Sequence, residues 1–147
     1  MSPSEPIVPV LSSNVAGPLG VKHLPRLWLK LVLHGLGRLP EGYRHGIGGF
    51  DEFVITTLGL DRDAFIAYVE QQRPDYLTCE AYVRAHATAL TPEAIAAVNA
   101  RIETTDLPDT LLPDRRARLG PGADGVTRGY ALNELDDWLA MHETLTR

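Results

Sequence analysis

The chain is poor in the residues that would mark several common protein classes. It carries one cysteine, Cys79, in 147 residues. A lone thiol excludes an intramolecular disulfide framework and a zinc site built on several thiolates. It also fits a reducing compartment. Long hydrophobic runs are absent: the richest, Leu27 to Leu36, is interrupted by Lys30 and His34, short of the roughly 18 apolar residues of a membrane span. The stretch from Met1 to Pro9 has Glu5, no basic cluster and no apolar core behind it, so no secretory signal is expected. These absences point to a soluble, cytoplasmic protein without a membrane partner. Lysine is scarce too, with 12 arginines against only Lys22 and Lys30. The net charge of −5 argues against nucleic acid as a partner, which would call for a basic face.

What is present is ordinary for a globular chain, 44% hydrophobic and 22% charged. The length fits one domain. Residues 1–15 are rich in Pro and Ser and read as an arm, flexible or lying along the domain. Residues 16–147 then form a single helical domain. The first helix starts near His23 or Leu24, with Pro25 in its first turn, and runs to about Gly37. Apolar residues cover most of its circumference, which suits a central helix. A Gly-rich loop follows from Arg38 to Phe50. Asp51 is the expected cap of a short helix through Leu58, Asp61 of the next one to about Gln72, and Thr78 of another to about Thr88. Thr91-Pro92-Glu93 is a strong helix start, and the helices on either side of Ala89-Leu90 are expected to form an antiparallel hairpin. Asp114 to Leu119 reads as one basic turn, Gly125 to Leu132 as a short extended piece, and Asn133 as the cap of the last helix. The expected fold is mainly α, a compact bundle of about six short helices with a long Gly-rich loop after the first. Trp28 and Trp138 are expected to anchor its core, with Cys79 as a small buried hydrophobe.

The order of segments resembles a known family. LPRLWLK precedes a Gly-rich gap, then FDEFVITTLGLDRDAF, TPEAIAAVNARI, RRARLGPGADGVTR and a tail with a tryptophan. The most characteristic pieces are Leu24-Pro25-Arg26 with Lys30, Asp51 ahead of Leu58-Gly59-Leu60, Asn99, and Gly120-Pro121. Over roughly Val15 to Trp138 the chain is similar to the bacterial family catalogued as domain of unknown function 5069. The resemblance implies a compact helical fold and brings no activity with it.

The candidate chemistry gathers around the first helix. Arg26, Lys30 and His34 recur every fourth residue and form one narrow polar stripe. Tyr43, Arg44, His45 and Asp51 lie in or beside the following loop. Brought to one mouth, these seven would make a ligand cleft, with Lys30 and His34 as candidate catalytic groups. A buried Lys30 would lose basicity by desolvation and could act as a base or form a Schiff base. A Lys30 paired with Asp51 would stay a cation suited to a carboxylate or phosphate. The plain alternative is a solvated face, with the Lys and Arg stems covering apolar surface, and the sequence leaves both open. His34, His45 and Asp51 are the atoms of a two-histidine, one-carboxylate metal site, but no spacing fixes their geometry, and neither a metal nor a cofactor is expected. Gly46 to Gly49 reads as a connector rather than a phosphate cradle, since no phosphate-loop signature is present. His86 and His142 read as partly buried, hydrogen-bonded histidines. The expected function is a small-molecule-binding protein or small enzyme with a polar cleft between the first helix and the 38–50 loop. The alternative is a non-catalytic interaction module, a homodimer or adaptor, motivated by the apolar first helix and the arm.

Overall fold

The computed structural model describes residues 5–147. The first four residues of the expected arm lie outside the described residues. Seven α-helices follow one another with no strand among the described residues: α1 (Leu24–Gly35), α2 (Gly49–Thr57), α3 (Arg62–Gln72), α4 (Tyr76–His86), α5 (Pro92–Thr104), α6 (Leu112–Leu119) and α7 (Gly129–Leu145). A single 3-10 turn, Pro121–Ala123, links α6 to α7. Among the described residues, no helix is long and apolar enough to cross a membrane.

The fold is built around α1. Its Leu24, Leu27 and Leu31 are fully buried against Val54, Ile55 and Leu58 of α2 and its end, Phe65 and Val69 of α3, Cys79 and Val83 of α4, and Val98 and Ile102 of α5. Helices α1 and α3 cross at Gly35, where an added Cβ would sit 2.3 Å from the Glu70 carbonyl oxygen. Only glycine permits that approach. Most of the apolar surface of α1 is covered within the domain, with Trp28, Leu29 and Val32 half-buried and Leu36 exposed at its end.

Several helix starts differ from expectation. Asp61 and Thr91 cap α3 and α5 through the amides of Ala64 and Ala94, as expected. Helix α4 begins earlier, because Asp75 accepts from the Thr78 amide at 2.8 Å and Thr78 lies inside the first turn. Gly48, with φ of 75°, takes the cap position of α2, and Asp51 is drawn inward instead. Helix α7 begins at Gly129, one turn before Asn133. The extended piece before it is a single antiparallel bridge between Asp106 and Arg128, after which the chain is already helical. Helices α4 and α5 do not pack as a hairpin: α4 lies on α1 and α5 on α2. The link between them is tied elsewhere, since the Thr88 and Ala89 amides donate to the carbonyls of Gly59 and Leu58. Trp28 is half-buried and donates to the Pro74 carbonyl, but Trp138 is 55% exposed and anchors nothing. His86 and His142 are both exposed.

The described part of the arm lies along the domain. The Ile7 amide donates to the Arg38 carbonyl, Val8 is buried, and the carbonyls of Pro9 and Leu11 both accept from Arg26.

Candidate functional site

One face of α1 and the residue before it carry His23, Arg26 and Lys30, spaced three and four residues apart and only 2%, 4% and 5% exposed. Burying such groups is costly unless they are paired, and here each of the three has a carboxylate partner. The Arg26 guanidinium forks onto Asp137 of α7, with Nη1 2.5 Å from Oδ2 and Nη2 3.4 Å from Oδ1. The Tyr43 hydroxyl donates to the same carboxylate at 2.8 Å. Asp51, in the first turn of α2, accepts from Lys30 Nζ on both oxygens at 2.7 and 2.9 Å. It also bonds His23 Nε2 at 2.6 Å and accepts from the Gly46 amide at 2.9 Å. On the far side of the imidazole, Nδ1 lies 2.9 Å from Ser13 Oγ.

Burial alone would push the Asp51 carboxyl up. The hydrogen bond from His23 and the charge of Lys30 outweigh it and hold the group well below the usual carboxylate range. Asp51 is therefore ionised. Burial lowers the His23 pKa, with Asp51 offsetting only part of the effect. The ring is thus neutral, with Nε2–H donating to Asp51 and Nδ1 accepting from the Ser13 hydroxyl. Burial also lowers the Lys30 pKa, again partly offset by Asp51. Burial, reinforced by the charge and hydrogen bond of Asp137, pushes the Tyr43 hydroxyl up, so it stays a donor. His23 itself adopts a left-handed backbone with φ of 72°, which costs a non-glycine residue about 1–3 kcal/mol and collects at functional sites. The Ser13, His23 and Asp51 order matches a hydrolytic triad by atom type. Ser13, however, is fully buried and does not line the cleft, so it anchors the ring rather than attacking a ligand.

This cluster forms the floor of a cleft of about 660 Å³, within the usual range for small-molecule sites. One wall is the loop from Pro40 to Arg44. The opposite wall comes from the C-terminal third: the end of α5, the Asp106–Pro108 link, α6 and α7. Phe50, Leu107, Pro108 and Leu111 supply apolar surface. The charges on the walls do not balance. Arg26, Lys30 and Arg118 are paired with carboxylates. Arg44, Arg101 and Arg115 have no carboxylate partner among the described residues: Arg115 donates to Asn133, Arg101 lies over the Phe53 ring, and Arg44 lies against Gly48 and Gly49. Asp51, Asp106, Asp136 and Asp137 are all paired with cations, and Glu41 is the lining carboxylate without a cation partner among the described residues. The glycines have a specific use here. A Cβ on Gly48 would lie 2.3 Å from Arg44 Nη1, so the bare backbone is the seat of that guanidinium.

The structure brings Arg26, Lys30, Tyr43, Arg44 and Asp51 to this cleft. It places His34 and His45 in a different depression, beside Glu70. The polar stripe of α1 thus runs backward from Lys30 to His23, not forward to His34. The His34, His45, Asp51 metal set is broken, because Asp51 is committed to Lys30 and His23. His23, Ser13, Asp137, Arg101 and Arg115 went unnoticed in the sequence. Extending the stripe by one turn toward the N-terminus would have found His23. Nothing local marks Asp137, which lies 111 positions from Arg26. No protein-family model matches the chain, and no curated protein matches it.

Proposed function

We propose that the protein binds a small organic anion in this cleft. One observation carries the reading. Three arginines without a carboxylate partner among the described residues, Arg44, Arg101 and Arg115, line one cavity in a chain of net charge −5. Guanidinium forks suit carboxylates and phosphates. The apolar wall from Phe50 to Leu111 suits the body of an organic acid better than a bare inorganic ion. The floor supplies Tyr43 as a hydrogen-bond donor and the Lys30–Asp51–His23 group as a fixed electrostatic base. Buried ion pairs are often no better for stability than packed hydrophobes, so retaining two of them at one cleft supports a role beyond folding.

The test is a thermal-shift panel of small carboxylates and phosphate monoesters, benzoate and phenyl phosphate included, on the wild type and on Arg44→Gln, Arg101→Gln and Arg115→Gln. An anion at 100 times its Kd raises stability by about 2.7 kcal/mol. Losing one charged contact removes about 1.5–3 kcal/mol, a drop of about 10- to 100-fold in affinity. Stabilisation that is equal in all four proteins would sink the proposal.

A second reading, an interaction module, has a narrower basis. Trp138 and Leu145 stand exposed two turns apart on α7, on one face of that helix. Light scattering after size exclusion tests it: a dimer broken by Trp138→Glu supports it, and a strict monomer opposes it.

A further inference from the structure

We propose that His34, His45 and Glu70 form a binding site for a divalent transition-metal ion of the zinc class, separate from the cleft. His34 lies in the last turn of α1 and Glu70 on α3, with His34 Nδ1 2.6 Å from Glu70 Oε1. The His45 ring stacks on His34 at 3.8 Å between centroids. One ligand atom from each residue lies within 4.8 Å of the others.

Two backbone approaches build the cluster, and both depend on glycine. Gly35 lets α1 meet α3, with an added Cβ only 2.3 Å from the Glu70 carbonyl oxygen, and so sets His34 beside Glu70. Gly46, with φ of 102°, would carry a Cβ 2.5 Å from Ile66 Cδ1. Its closeness to α3 brings the preceding residue, His45, over His34. His34 and His45, each directly before one of these glycines, thus meet Glu70, the three coming from α1, the loop after it and α3. Two ligands stand on closely packed helices, which holds their spacing.

Two imidazole nitrogens and one carboxylate oxygen favour zinc and its first-row neighbours over calcium or magnesium, which take mainly oxygen ligands. Three protein ligands leave a fourth tetrahedral position for water. The stacked rings are only 10° from parallel, so their in-plane lone pairs do not yet converge. Metal–nitrogen bonds of about 2.0–2.1 Å require one ring to turn out of the stack. There is space for that turn, since the His34 side chain is 42% exposed and the cluster opens into a surface depression. The His34–Glu70 contact as it stands is a single surface hydrogen bond of modest worth, so metal entry displaces little.

The experiment is a calorimetric titration of the tag-free full chain with zinc chloride, followed by cobalt(II) as a spectroscopic substitute. The expected result is one zinc per chain and cobalt ligand-field bands of a four-coordinate site that zinc abolishes. His34→Ala, His45→Ala and Glu70→Gln each weaken binding by more than the roughly 10- to 100-fold typical of losing an outer partner. His86→Ala and His142→Ala leave it unchanged. Absence of saturable one-to-one binding, or binding that survives His45→Ala, overturns the proposal. Circular dichroism of each variant shows that the fold is retained.

Discussion

Asp51→Asn keeps the shape of the side chain and removes the charge on which the buried floor depends. The wild-type carboxylate takes contacts from His23, from Lys30 twice and from the Gly46 amide. In the variant the Lys30 ammonium, only 5% exposed, has no counter-charge. Removing one member of a buried pair costs about 3–5 kcal/mol, a large part of the roughly 5–15 kcal/mol that holds a domain together. At roughly 3 °C per kcal/mol for a chain of this length, Tm falls by about 9–15 °C. Lys30→Met costs less, because the carboxylate keeps His23 and the Gly46 amide as donors. The double variant Lys30→Met/Asp51→Asn is more stable than Asp51→Asn alone, since no bare ammonium is left. Urea denaturation at neutral pH reads all four corners of this cycle. A loss under about 1 kcal/mol for Asp51→Asn, or a double variant that loses the sum of the single changes, would refute the pairing.

His23 gives a pH signature. Its folded pKa lies below the ordinary value of 6.5, so below about pH 6.5 the unfolded chain takes up a proton that the folded chain refuses. Stability therefore falls with pH through that window down to the folded pKa, and His23→Asn flattens the slope in urea melts. Asp51 acts lower: its folded pKa is depressed, so its contribution is complete above the ordinary carboxylate range and is lost progressively as pH falls from there toward the folded pKa. Gly35→Ala forces a Cβ to 2.3 Å from the Glu70 oxygen and should cost about 1–3 kcal/mol by overpacking, checked by the same denaturation. Asn99→Ala removes the acceptor of the Lys22 amide and the donor to the Gly20 carbonyl, both at 2.9 Å. It should cost about 1–3 kcal/mol and speed exchange of the Lys22 amide.

The helical class was legible because apolar periodicity and caps such as Asp61 and Thr91 are local signals. Lys30 and Asp51 were legible as site candidates because they stand out against apolar neighbours and a Gly-rich loop. Asp51 was misread as a cap since a carboxylate at a helix start satisfies either role, and only the position of α1 shows that Lys30 claims it. His34 and His45 were drawn into the wrong group for a related reason. Their spacing from Lys30 and Asp51 is compatible with one site, and the crossing at Gly35 that turns His34 toward Glu70 is a tertiary event. Arg101, Arg115 and Asp137 come from a part of the chain with no pattern linking it to α1. Asp137 reaches α1 because a buried Arg26 needs a counter-charge, a need that arises only once Arg26 is buried.

The central claim, an anion site made by three particular arginines, is tested most directly by nitrogen-resolved NMR of the arginine side chains during titration with phenyl phosphate. The account predicts that the Nε–H signals of Arg44, Arg101 and Arg115 move together and saturate, while those of Arg62, Arg73 and Arg84, outside the cleft, stay in place. Uniform, unsaturating movement of all exposed arginines, or none at these three, would contradict it.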